Sequence, residues 1–426
     1  MFSNEIRKKF FLFCQIFIFG IVSFWFLKRF SRILLAPGEY QWDLFCYFAS
    51  VKGYFLLGLD PYLIDKQQIT ELGISHVTMG NHPFLYPIPC LYLLYPFIYM
   101  SWNTAFYSMF FLKISVFIAA QWAFYKTFIP KEAPLPSYIW VYVWMLMGLS
   151  GTIGGDIESG NVALLISSSI LFAFVALQKK AHWAFVLCIL LASSLKIYPI
   201  LFALAPIFLS SGSKKWQIPL LTIGMFIGLF TFGYLIEPIG SSDFFSKVIP
   251  TIQERTFHFS EPFKDNNTGL MRLSHDIIYM WKGQSLQAEA WTSWFILALF
   301  FAIISMRVLF IPRVSFAEKV CLMIITYGLI SPRSLLYNYT LYLLPGLFIL
   351  SQMKNQNLAK LIIVLSSLPA FHPFLKVLSR LWPSYQQSAV FLLIDHSASL
   401  TLCLLWGLSI KTLLSYQRVL SRQHQK

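Results

Sequence analysis

The chain has 426 residues, 57% of them hydrophobic and only 12% charged, with a mean hydropathy of +0.64. Soluble domains carry roughly twice that share of charge, so the composition excludes a soluble globular protein and points to an all-α polytopic membrane protein. The net charge of +15 lies between apolar runs and forms no patch, which argues against nucleic-acid binding and assigns the cations first to topology.

The apolar runs lie near residues 10–27, 84–100, 104–128, 137–152, 162–178, 182–195, 197–211, 216–236, 291–309, 317–331, 335–352, 358–371 and 388–410. About 20 residues of helix cross a bilayer. The first run follows Arg7-Lys8-Lys9 like a signal peptide. It is too long for one and ends in Leu27-Lys28-Arg29, with no small-residue cleavage site, so it reads as an uncleaved span. Lys179-Lys180, Lys214-Lys215, Arg307 with Arg313, Lys354 with Lys360, and the basic tail fall on one side if every run from 137 to 410 crosses. That side is cytoplasmic by the positive-inside rule. A cytoplasmic N-terminus then requires one of the earlier runs not to cross. Residues 84–100 are the candidate, because Pro83, Pro87, Pro89 and Pro96 rob a helix of its hydrogen bonds. About twelve transmembrane helices in a single domain, 1–426, are expected. Residues 28–103 form a first outer loop with interfacial or re-entrant pieces, and 237–290 a second. Lys28, Arg29 and Arg32 fall outside in this scheme, where they can snorkel to headgroups or bind an anion.

Acids are scarce, 18 against 33 basic residues, so each one on the outer face draws notice. Asp43 follows the first span among aromatics and shares a helical face with Tyr47 and Ser50. A carboxylate there can serve as a general base. Asp60 sits in the turn Gly58-Leu59-Asp60-Pro61-Tyr62, where it can accept backbone N–H bonds. Asp156, Glu158 and Asn161 fall in a Gly-rich turn between two apolar runs, where two acids are costly unless paired or wet. Lys196 is a lone cation in a long apolar stretch, next to a helix break at Pro199, and an anion such as a phosphate is its natural partner. Lys113, mid-run, can pair with an acid in the bundle. Arg333, a bidentate phosphate binder, is followed by Tyr337 and Asn338 as hydrogen-bonding groups.

The six cysteines are scattered without a C-x-x-C pair, and His258 and His275 lack ligand spacing, so neither a disulfide framework nor a metal site is expected. No cofactor is implied: there is no Walker loop and no dinucleotide fingerprint.

Several of these stretches resemble glycosyltransferase family 87, membrane mannosyltransferases of the C-type superfamily that use polyprenol-phosphate mannose. Asp43-x-x-x-Tyr47 followed by Gly58-x-Asp60-Pro61-Tyr62 is similar to the family's first outer loop. Tyr86-Pro87-Ile88-Pro89 resembles its Tyr-Pro-Pro segment, Gly160-Asn161-x-x-Leu164-Leu165 its amide-bearing turn, Leu195-Lys196-x-x-Pro199 its Lys-x-x-Pro element, and Ser331-Pro332-x-Ser334 its late turn. The set runs in order over about residues 40–345. Asp156 and Glu158 flank a single amide here, and Leu335 and Asn338 stand where the family often has Trp and His.

The resemblance implies a bundle whose site faces away from the cytoplasm, in a bacterial plasma membrane or on the luminal side of the endoplasmic reticulum. It implies an inverting transfer of mannose from a polyprenyl-phosphate donor to a hydroxyl of a glycan or glycolipid acceptor. Asp43 would be the base, and Lys196 with Arg333 would hold the donor phosphate. Tyr47, Asp60, Asp156, Glu158, Asn161, Tyr337 and Asn338 would complete the substrate contacts. The rival readings are a twelve-helix secondary transporter, which should show an internal repeat, a non-catalytic subunit of a glycosyltransferase complex, and an envelope polymerase or ligase with another lipid-linked donor. No repeat between the halves is visible in the sequence.

Overall fold

The computed structural model describes residues 4–36, 39–62, 84–130, 137–257, 267–370, 381–382 and 389–423. His258 lies outside the described residues, as does part of each of the two expected outer loops. Among the described residues the secondary structure is helical, apart from one isolated bridge between Asn267 and Leu335.

Among the described residues, five helices are long and apolar enough to cross a membrane. They are α1 (Asn4–Leu35), whose span is Leu12–Leu35, α4 (Trp102–Phe128), α8 (Lys214–Ile236), α10 (Gln287–Leu309) and α14 (Ser397–Gln423), whose span is Ser397–Leu414. A sixth crossing results if α5 (Tyr138–Ser159) and α6 (Ala163–Gln178), bent by 119° at their junction, count as one broken span. The structure thus establishes a multi-pass helical bundle, with fewer unbroken spans than the twelve expected.

The difference lies in runs that the chain interrupts. Residues 197–211 start as 3₁₀-helix at Tyr198–Leu204 before a short α-helix, Ala205–Leu209, and 335–352 start as 3₁₀-helix at Leu336–Tyr342 before α12 (Leu343–Ser351). Residues 84–100 divide into α3 (Ile88–Leu93) and a 3₁₀ piece, Tyr95–Tyr99. Neither piece reaches across a hydrocarbon core at about 1.5–2 Å per residue.

Local chemistry sets several boundaries. Ser101 accepts the Thr104 N–H at 3.2 Å and starts α4. Ser315 and Glu318 form a capping box at the start of α11 (Phe316–Ile330). Within α5 the helical ladder breaks at Gly148–Gly151, where Leu149, Ser150 and Gly151 take positive φ of 51°, 68° and 71°. A side chain at 151 would meet Ala370 Cβ at 2.9 Å, so glycine lets this kink sit against the 3₁₀ turn Leu368–Ala370.

The core is one continuous cluster. Helices α4, α6 and α7 (His182–Leu195) pack side by side, and α5 packs on α13 (Gln356–Ser367). Trp144, fully buried, ties α5 to the start of α12 by donating Nε1–H to the Leu343 carbonyl at 2.7 Å. Leu12, Phe13, Ile16, Phe17, Phe24 and Leu27 of α1 point outward, as expected of side chains whose solvent is lipid.

The second expected loop is itself largely helical: Pro238–Asp243, Ile249–Phe257 and α9 (Leu270–Lys282) lie between α8 and α10. Helix α9 buries Leu270 to Asp276 and leaves its last turn exposed.

Candidate active site

The functional side chains converge where α2 (Trp42–Leu57) starts, α5 ends and α7 breaks. Gln41 makes this junction. It adopts φ 73°, donates its backbone N–H to the Glu158 carbonyl at 2.8 Å and its side-chain amide to the Ile157 carbonyl. Gly160 must be glycine twice over. Its φ is 72°, and an added Cβ would lie 2.6 Å from Gln41 Oε1 and 2.7 Å from Leu44 Cβ. The approach sets the first turn of α2, with Asp43, against the turn that follows α5, with Asn161.

Asn161 Nδ2 donates to Asp43 Oδ2 at 2.8 Å and lies 3.3 Å from Tyr86 Oη. Lys196 Nζ donates to Asn161 Oδ1 at 3.1 Å. The same ammonium lies over the rings of Tyr337, at 4.9 Å, and Tyr86, at 5.6 Å. Lys196 itself is extended, the residue where α7 ends before Pro199.

Beneath this layer is a buried ion pair. Lys113 Nζ, in the middle of α4, reaches Asp156 Oδ1 at 2.6 Å and the Asn161 carbonyl at 2.7 Å, while Asp156 Oδ2 accepts the Leu164 N–H at 3.0 Å. The acid expected to partner Lys113 is therefore Asp156. Both side chains are almost fully buried, a placement that costs several kcal/mol unless each charge is saturated by partners, as here.

A cavity of about 1100 Å³ opens over the layer. Asp43, Tyr86, Lys196, Arg333, Tyr337 and Asn338 line it. Asp43, Asp156 and Arg333 all contribute to the field at the Lys196 ammonium. Arg333 Nε and Asn338 Oδ1 are buried with no hydrogen-bond partner among the described residues. The turn that carries them is fixed from below: Asn267 Oδ1 accepts the Ser334 and Gly269 N–H groups, each at 3.0 Å, and Thr268 donates its N–H to the Ser334 carbonyl at 2.9 Å.

The structure sorts the sequence-derived residues into those on the cavity and those behind it. Asp43, Lys196, Arg333, Tyr337, Asn338 and Glu158 reach it. Tyr47 does not: fully buried, it donates its hydroxyl to Tyr86. Asp156 and Asn161 are fully buried behind the wall. Their polarity, read from sequence as substrate contact, is consumed by Lys113, Asp43 and Lys196. Asp60 lies off the cavity and accepts the Tyr62 N–H at 2.9 Å, the turn role its Gly-x-Asp-Pro setting suggests. Burial, with Asp243 close by, pushes its carboxyl up. Glu158 receives Arg29 Nε at 2.7 Å, so the C-terminal end of α1 sits at the cavity rim and Arg29 has a protein partner. Nothing in its local sequence marked Gln41 as a member of this site, whereas Arg29, expected outside with headgroups or an anion, meets Glu158 instead. All six cysteines are free, and Cys46, like Asp43, lines the cavity.

A second polar cluster lies behind the wall and reaches the cavity only through Asp395. Asp276 accepts from Arg272 Nε at 3.1 Å, with His275 Nδ1 at 3.1 Å and His396 Nε2 at 3.0 Å. His275 Nε2 meets Ser285 Oγ at 2.8 Å. Burial opposes ionisation of Asp276, but the histidine hydrogen bonds and Arg272 outweigh it and hold the carboxyl at about 2. Asp276, Asp395 and His396 offer atoms within 4.8 Å of one another, a spacing that suits a metal ion. Asp276 is also engaged by the Arg272 guanidinium and by both histidines.

A multi-pass helical bundle with a carboxylate and cations on one large cavity is the frame of an enzyme that works at a membrane boundary. The chain belongs to glycosyltransferase family 87, whose model matches residues 84–332, more than half of its length. It is therefore a membrane glycosyltransferase. No curated protein and no solved structure matches it.

Proposed function

We propose that this glycosyltransferase moves mannose from a polyprenyl-phosphate donor to a hydroxyl of a glycan or glycolipid acceptor, with inversion, on the non-cytoplasmic side of the membrane. The observation that carries the reading is the pairing of Asp43 and Lys196 across one amide, both at the wall of the same cavity. Asp43 takes the acceptor hydroxyl proton while that oxygen bonds to the anomeric carbon. The bond from that carbon to the phosphate oxygen breaks, and its electron pair leaves with the phosphate. The leaving phosphate gains negative charge, so it needs cations more than a proton donor. Lys196 and Arg333 supply them, and the unpartnered Nε of Arg333 suits a phosphate oxygen. Tyr337, under the Lys196 ammonium, and Asn338 complete the donor side of the wall.

The test is release of polyprenyl phosphate by purified protein given polyprenyl-phosphate mannose and candidate acceptors. Wild-type protein should release it. Asp43→Asn should lower the rate by about 10²-fold or more while leaving the thermal midpoint unchanged. Full activity in that variant removes Asp43 as the base. Uptake of substrate into liposomes without sugar transfer would instead favour a transporter.

A further inference from the structure

We infer that Asn161 is a positioning residue: its side-chain amide sets both the proton affinity of the Asp43 carboxylate and the placement of the Lys196 ammonium. The inference rests on the roles proposed above for Asp43 and Lys196.

Five contacts fix this residue. Its Nδ2 donates to Asp43 Oδ2 at 2.8 Å and to Tyr86 Oη at 3.3 Å, and its Oδ1 accepts from Lys196 Nζ at 3.1 Å. Its carbonyl accepts from Lys113 Nζ at 2.7 Å, and its backbone N–H donates to Ser159 Oγ at 3.2 Å. The side chain is fully buried and does not line the cavity, so it acts on substrate only through its partners Asp43, Lys196 and Tyr86.

The chemistry allows one orientation of the amide. A carboxylate only accepts and an ammonium only donates, so Nδ2 must face Asp43 and Oδ1 must face Lys196. The amide thereby gives each charge a neutral partner. An acid at this position would compete with Asp43 for the cation and repel its carboxylate. An apolar residue would leave Lys196 without this acceptor and Asp43 without this donor. The Lys113–Asp156 pair beneath holds the backbone that aims the amide, which gives that costly buried pair a purpose.

The test is the pH dependence of polyprenyl phosphate release, measured as kcat/KM for polyprenyl-phosphate mannose on protein that elutes as a folded species in detergent. Removing one charge-assisted donor in Asn161→Ala should move the acid limb up by about one pH unit. The isosteric Asn161→Asp should move it further, by about two units, because a like charge then faces Asp43. A residue that only stabilised the fold would lower the active fraction and leave the limb in place. An unmoved limb in either folded variant overturns the inference, as does failure of both variants to fold, which would make the amide purely structural. Absence of release by wild-type protein is a separate result, one that removes the proposed reaction itself.

Discussion

One buried polar network lines the cavity and a second lies behind it, reaching it only through Asp395, and the two are built to opposite ends. Around Asp276 the partners are all protein groups: Arg272 and two histidines converge on one carboxylate, and Asp276 is fully buried. Around Asp43 the charges face the cavity: the carboxylate accepts an amide N–H from Asn161 and lines the cavity, as do Lys196 and Arg333. A closed network holds elements together, here α9 against the start of α14. An open one keeps charge available to a substrate. Buried charge alone does not identify an active site; buried charge facing a cavity does.

Substitution at the two carboxylates separates these roles. Asp276→Ala leaves Arg272 buried and uncompensated, and should cost about 3–5 kcal/mol. The loss is read as a lowered thermal midpoint in detergent, with activity per folded molecule retained. Asp43→Asn should do the reverse. A loss of specific activity in folded Asp276→Ala would mean that the closed network also serves the reaction.

Lys196→Met probes the open network from its cationic side. It removes a charge-assisted contact to the donor phosphate, worth about 1.5–3 kcal/mol. The KM for the polyprenyl-phosphate donor should rise by roughly 10- to 100-fold, with a smaller effect on the acceptor. An unchanged donor KM would place the phosphate elsewhere on the wall.

Much of the open network was legible because its members break local rules of composition. A lone acid beside an apolar span, a lone cation before a proline, and an acidic Gly-rich turn are each costly in lipid. Asp43, Lys196 and Asn161 stand out for that reason, and the structure brings all three together. What the sequence hides is which polar group faces the cavity and which faces a neighbour. Asp156 and Glu158 are two residues apart in one turn, yet one is buried under Lys113 and the other meets Arg29 at the rim. That choice depends on long-range packing, as does the left-handed Gln41 that joins α2 to α5. The closed network was hidden for the same reason. Asp276 and His396 are far apart in the chain, and neither has a neighbour at metal-ligand spacing. The number of crossings is less legible, because apolar runs such as 197–211 and 335–352 begin in 3₁₀-helix and interrupt what hydropathy reads as continuous.

Acid titration offers the mildest probe of the contrast. The Asp276 carboxyl is lowered from 3.8 to about 2 in the folded protein. A depressed carboxyl stabilises the fold above its unfolded value, and that contribution is lost as pH falls through the folded one. The window therefore runs from about pH 4 down to about pH 2, and the contribution is on the order of 2 kcal/mol. Thermal midpoints of wild-type protein and Asp276→Asn, compared at pH 5 and pH 2.5, should converge as the pH drops, because the variant has no such carboxylate to protonate. Parallel loss in wild type and Asp276→Asn would show that the closed network contributes no ionised carboxylate to stability, and the distinction between the two networks would then rest on geometry alone.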